Sequence, residues 1–500
     1  MPGNAKYTSP EIQNELLSVM ADMVSNVVVK RATDAGMFSI MADETWDKQK
    51  VEDLAIAVRY VHDGVPEERL LSILKLKERD AKAITAKIME DLEVKNLPKG
   101  YLVAQCHDGA SVMSGVHNGV QVGISEAVGR LVPYVHCFAH QLHLVVVHAT
   151  KTKEVAEFFD LTKELYEFFQ RSKVTATYDG TTLKRLLEQR WSGHQEMVHS
   201  FLTNLEAIKK TLDTLVDCKE TNLKIKALGI QLLVHNPVQE FVAKVLQAIF
   251  DILKPLNLQL QGTEAVIYHS IMLVKSTLKQ LEQLLANGPS PFSPPPLTKR
   301  IKVTMSGYSF TRDVDRELSE ESVKEIFEGI LNPVLMEMRT RFSEQGCDLL
   351  QSLSSLLPGP RFLDFDALAP LIALADPFVK KGAGWKPELQ CAKATFEMQE
   401  AEMPTTIQQI GQFFQPYEAA FPSVTVLYKT ALTIGTSSAT VERAFSSLTR
   451  ILRPTRVSMT HDRKEDLVIL SVHSDITTSL KLEDIIDCFA KKHPRRLALF

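Results

Sequence analysis

Almost every strand signal in this chain falls between Met37 and Ala139, and that confinement limits its possible folds more than any other feature. MFSIMAD reads as a short buried strand, VEDLAIAVRYVHDG as a second closed by an Asp-Gly turn, and EERLLSILKLK as a third with alternating apolar positions. Together they predict an antiparallel meander. A helix follows around Ala81 to Leu92, then LVAQCHDG as a fourth strand ending at Asp108, a helix around Gly119 to Val128, and a short fifth strand in PYVHCFAH. Upstream, Ile12, Leu16, Met20, Met23, Val27 and Val28 recur at helical spacing, so a helix leads into the first strand. Downstream the pattern is helical, in long stretches to about Leu285 and again from Val314.

The order β-β-β-α-β-α-β, followed by helices, is that of an α/β chain with a ribonuclease H-like core. NGPSPFSPPPLTKR, residues 287–300, is the one low-complexity stretch, and its prolines predict an extended, flexible loop. DPFVKKGAGWKP at 376–387 is a second irregular stretch, and no repeat of fixed period is present. With 500 residues, 45 % hydrophobic and 24 % charged, the chain can build a sizeable core and two or three domains. A net charge of -4 and a pI near 6.4 give no global attraction for nucleic acid, so any such contact must come from local basic patches. The six cysteines, at 106, 137, 218, 347, 391 and 488, form no CxxC pair and read as free thiols in a reducing compartment. No stretch reaches the ~20 apolar residues of a membrane span and the N-terminus has no signal-peptide pattern, so no membrane partner and no secretion are expected.

Two acids stand where chemistry collects in an open α/β sheet. Asp43 follows the first apolar strand in ADETWD, and Asp108 ends the fourth strand before Gly109, so both can project from strand ends at one edge. Paired carboxylates of this kind hold Mg²⁺ or Mn²⁺ in phosphoryl-transfer enzymes, where oxygen ligands are preferred and no organic cofactor is needed. Strand-end aspartates also often do no more than cap a turn. Glu44 and Asp47 are equally available acids by sequence position, although alternation points Glu44 away from the face of Asp43.

Five stretches decide between these readings: FSIMADETWDKQKVEDLAIAVRYV, CHDGASVMSGVHNGVQVGI, VPYVHCFAHQLHLVV, the RW of QRWSGHQEMV, and SSATVERAFSSLTRILRPTRVSMTHDRKEDLVILSVH. In this order they resemble hAT-family DNA transposases, especially the zinc-finger MYM-type-like and THAP-repressor-like group, over nearly the whole chain. The resemblance implies a catalytic and metal-binding set of Asp43, Asp108 and Glu442, with a large all-helical insertion between the second and third acids. It also implies DNA contacts from Cys137 and His140 of a CxxH motif and from Arg190 and Trp191 of an RW motif; Arg443 opens a basic run whose charges can bind DNA phosphates, though such a run is more commonly a solvated face. Arg450, Arg453 and Arg456 add basic character, and Phe445, Leu448, Leu467, Leu470 and Val472 are the expected dimerisation contacts. The implied domains are a helical lead-in over 1–35, the first part of the core over 36–150, an all-α insertion over 151–425 with a disordered loop near 287–310, and core completion with the dimerisation region over 426–500.

Some of these residues have a plainer reading. Trp191 can simply fill a core, and Arg190 can pair with a neighbouring acid. His136, Cys137, His140, His143 and His148 suggest zinc, but the cluster lacks a second ligand pair at finger spacing. Complete relatives carry a zinc-binding recognition module before the core, and Asp43 lies too near Met1 to leave room for one here, so a fragment, a decayed element or a host-adopted copy is expected. The functional expectation is a metal-dependent DNA strand cleavage and transfer core, at least dimeric and nuclear. The alternative is an inactive transposon-derived protein acting through dimerisation and nucleic-acid or chromatin binding.

Overall fold

A computed structural model describes all residues except 1–8, 47–51, 150, 186–190, 263–266, 293–299, 306–307, 314–318, 343–351, 380–383, 400–402, 453–458 and 494–500. The chain divides into two compact units: residues 1–140, 259–271 and 344–500, and residues 141–258 and 272–343. The five-stranded sheet lies in the first. Its strands are β1 (Phe38–Trp46), β2 (Glu52–His62), β3 (Val65–Lys75), β4 (Leu102–His107) and β5 (Tyr134–His136), in the order β3-β2-β1-β4-β5. The first three form the expected antiparallel meander, and β4 and β5 join as parallel strands.

Burial explains why β2 has no hydrophobic alternation. Every residue from Glu52 to Val61 is buried, and because successive side chains face opposite sides, both faces of the strand must be covered. The helices Pro10–Ala35, Pro422–Thr433 and Ala439–Ile451 pack on it. The β2–β3 turn is Asp63-Gly64, with both residues at positive φ (50° and 75°), the conformation of a two-residue hairpin that Asp-Gly favours.

β3 is an edge strand, and such edges must be blocked or they recruit other chains. Here the helix His461–Val472 and the residue after it block the edge. Ile73 N–H donates to the Glu465 carboxylate at 3.1 Å, while the Nε2 groups of His461 and His473 donate to the Ile73 and Leu70 carbonyls at 2.9 Å each. Lys464, also buried, pairs with the fully buried Asp53 of β2 at 2.5 Å.

The boundary expected at residue 425 is moved by this structure. Helices Phe365–Ala375, Trp385–Glu397 and Ile407–Phe414 belong to the first unit, where Leu371, Leu389, Phe396 and Phe414 share one buried cluster with Ile40 and Ile56 of the sheet. The Glu388 carboxylate ties them to the next helix, accepting from Ser423 Oγ at 2.7 Å and Val424 N–H at 2.9 Å. Helical periodicity gives an apolar face but not the core it faces, and so the sequence assigned these helices to the insertion. The second unit is built mainly of the helices Lys153–Phe169, Trp191–Val216, Thr221–Val234, Ile267–Asn287 and Glu320–Arg341. It is not wholly helical, because Arg300–Met305 and Tyr308–Asp313 pair as an antiparallel hairpin where a loop was expected. The proline run 293–299 lies outside the described residues.

Asp466, on the helix that blocks β3, has its pKa raised to about 6 by burial and by the nearby charges of Asp22 and Asp462. A carboxyl raised in the folded state favours folding below its unfolded pKa and loses that contribution as pH rises through about 6. Asp466→Asn is therefore expected to raise the unfolding temperature above pH 6, with the gain closing as pH falls towards 4. Thermal melts of both proteins across that range check this.

Candidate active site

The first two acids meet because of strand register. β1 and β4 are parallel neighbours with Met41 opposite Cys106, and Asp43 and Asp108 each lie two residues further on, at the same end of the sheet. Asp43 Oδ1 accepts the Glu44 N–H at 2.9 Å, and Asp108 Oδ1 accepts the Ala110 N–H at 3.2 Å. Tyr134 Oη donates to the Asp108 carbonyl at 2.7 Å, which fixes the turn. Gly109 is required next: a Cβ there would lie 2.4 Å from Cε1 of the His136 ring.

Glu442 comes from far along the chain, in the first turn of the helix Ala439–Ile451 that packs on β1, β2 and β3. Its effect is felt at Asp43, whose pKa is pushed well above the usual carboxylate range by burial and then by the charges of Asp108, Glu442 and Cys137. Glu44 is raised to about 7 by burial, Glu52 and Asp108, against a lowering effect of Arg79. Asp47 lies outside the described residues.

Two buried devices hold the Glu442 helix in place. In the first, Arg59 of β2 pairs with Glu68 of β3 at 2.7 Å, both almost fully buried, and donates through Nε to the Leu432 carbonyl at 2.9 Å. The other oxygen of Glu68 accepts Thr440 Oγ1, two residues before Glu442, and Arg443 Nη2 donates to the same Thr440 oxygen at 2.6 Å. In the second, Cys137 Sγ accepts from Ser438 N–H at 3.2 Å, Ser438 Oγ at 3.3 Å and His140 N–H at 3.4 Å. Cys106 also donates to this sulfur, which lowers the Cys137 pKa and raises its own. Phe138 N–H donates to the Thr436 carbonyl at 3.0 Å, so the segment entering the Glu442 helix is fastened to the end of β5.

The residues expected to contact DNA have these surroundings. Cys137 is fully buried, with its sulfur given over to internal donors, so it acts on the site through Ser438 and His140. His140 is half-buried, with its ring 6.1 Å from that of His136. Arg443 spends donors on Thr440 and, at 2.6 Å, on the Gln261 carbonyl, which makes it a tether for the helix. Arg190 lies outside the described residues, and Trp191 opens a helix of the second unit. Of the expected dimer contacts, Leu448 is buried, and Phe445, Leu470 and Val472 pack against the core of their own chain. Leu467 is half-buried. The five described cysteines are free thiols.

Sequence reasoning missed Arg59, Glu68 and Ser438. A signal for Arg59 was present, since an arginine inside the apolar run LAIAVRYV needs a buried partner. The Asp43, Asp108 and Glu442 donor set suits a hard divalent cation in chemistry, since all of its donors are oxygens. Among the described residues, however, no three His, Cys, Asp or Glu side chains stand close enough to hold an ion as placed. Repulsion between like charges opposes that approach, and a divalent cation would offset it.

Two segments of the chain match known families. Residues 1–119 match the family described as ZMYM1/FAM200, RNase-like domain, and residues 392–472 match the hAT family C-terminal dimerisation region. The chain is 20 % identical over 538 aligned residues to the mouse protein named 52 kDa repressor of the inhibitor of the protein kinase, covering 99 % of this chain and 69 % of that one. The human protein of the same name aligns with the same identity and coverage. Among the described residues no helix is long and apolar enough to cross a membrane.

Removing one partner of a buried ion pair strands the other, at a cost of about 3–5 kcal/mol. Glu68→Ala is expected to lower unfolding stability by about that amount. The paired change Arg59→Met with Glu68→Leu should recover much of the loss, as denaturant titration would show.

Proposed function

Taking the chain as a hAT-transposon-derived protein with that family's dimerisation region, we propose that its first unit is a ribonuclease H-like core for metal-dependent cleavage and transfer of DNA strands. What supports this reading is the strand register that sets Asp43 beside Asp108, together with the charges of Asp108 and Glu442 that both act on Asp43. They would hold Mg²⁺ or Mn²⁺, which when bound activates an attacking oxygen and stabilises the leaving one. The chain's own residues position these acids. The Asp108 turn is fixed by Tyr134, and Glu442 by Arg59, Glu68, Thr440 and the Cys137 cradle. His140, whose N–H bonds Cys137 and whose ring neighbours that of His136, would be the candidate to donate to a phosphate oxygen or a leaving group.

DNA is the proposed partner, with a second copy of the chain engaged through the C-terminal region, and the nucleus the proposed location. The overall charge of -4 gives no global attraction for DNA, so binding should depend on local basic groups and be strongly salt-dependent. A second reading is favoured by the open spacing of the acids: a dimerising protein without catalysis, in which the same pocket is a structural remnant.

Incubating purified protein with supercoiled plasmid and Mn²⁺ separates the two. Nicking by wild type that falls by at least about a hundredfold in Asp43→Asn and in Glu442→Gln supports the catalytic core, since loss of a catalytic group of this type costs several powers of ten in rate. Equal traces from wild type and both variants would sink it.

A further inference from the structure

The end of the sheet that carries the acids also exposes an aromatic ring that the site above leaves unused. Trp46 ends β1 and is 53 % exposed, although indoles are usually highly buried. It is nonetheless held. The Arg79 guanidinium lies 4.1 Å from the ring centroid, and its Nε pairs with Glu52 at 2.5 Å. Glu52 is the residue opposite Trp46 in the β1–β2 register. Carboxylate, guanidinium and indole thus form one assembly at the surface, with the ring steadied by a cation rather than by a core.

Trp46 lies three residues beyond Asp43, about 10 Å along an extended strand, within reach of a nucleotide neighbouring one whose phosphate lay at the acids. Alternation turns it to the side of Glu44 rather than Asp43. The two sides meet at the acids, because the Glu44 N–H donates to the Asp43 carboxylate at 2.9 Å. An indole stacks on any base, and a guanidinium beside it supplies the positive charge that a phosphate needs near a group of acids. One ring is also far too small an apolar patch to anchor a stable protein interface.

We propose that Trp46 and Arg79 form a stacking platform for an unpaired DNA base next to the phosphate engaged by the acid cluster, an inference that rests on the nucleic-acid reading above. The test is anisotropy of a labelled single-stranded oligothymidylate titrated with the full chain, for wild type, Trp46→Ala, Trp46→Phe and Arg79→Gln. Trp46→Ala should weaken binding roughly 5- to 150-fold, the effect of losing one stacked base. Trp46→Phe should keep most of the affinity, and Arg79→Gln should weaken binding and flatten its salt dependence. Equal affinity of wild type and Trp46→Ala overturns the platform while leaving the nucleic-acid reading intact. A wild type that binds no oligonucleotide at low salt overturns both.

Discussion

The site depends on a buried ion pair. Arg59 and Glu68, on adjacent antiparallel strands, lie where neither charge meets water. Desolvating both ions costs several kcal/mol each, and such a pair is tolerated only when its remaining hydrogen bonds are satisfied. Here those bonds reach out of the sheet, from Arg59 to the Leu432 carbonyl and from Thr440 to Glu68. The pair therefore fixes where the helix bearing Glu442 begins, more than 370 residues further along the chain. Hydrophobic packing of Val441, Ala444 and Leu448 holds that helix to the sheet, but packing is non-directional. Directional bonds set its position.

The same logic extends to the acids themselves. Strand register puts Asp43 and Asp108 side by side without further help, because the chain returns to the sheet in parallel beside β1. Bringing a third carboxylate to them means accumulating charge in a half-buried place, and the raised pKa of Asp43 is the sign of that cost. Folds accept such a cost where chemistry needs it. Cys137 fits this pattern: its sulfur, surrounded by N–H, O–H and S–H donors, joins the end of β5 to the segment before Glu442.

Local features of the sheet were readable from sequence. Apolar runs mark the five strands, Asp63-Gly64 marks the hairpin, and strand-end position holds for Asp108, whereas Asp43 lies within β1, which continues to Trp46. Glu442 was not readable from spacing, since nothing local says that an acid in a helix near residue 442 faces a strand near residue 43. It came from resemblance alone, and the electrostatics at Asp43 are what tie it to the first two acids. Helices between 344 and 425 were assigned to the wrong unit because periodicity is blind to the identity of the opposing surface. The charge of Arg443 is legible in the sequence, whereas the Gln261 carbonyl it bonds is not. Trp46 leaves no mark in the sequence, because one exposed indole has no periodic signature.

The central claim is that Asp43, Asp108 and Glu442 act together as one cation site. Calorimetric titration of Mn²⁺ into wild type and into the combined Asp43→Asn, Asp108→Asn, Glu442→Gln protein tests it without needing a DNA substrate. The account predicts a saturable binding heat in wild type that disappears in the triple variant. Identical titrations would contradict it and leave the acids as neighbours without a shared ligand.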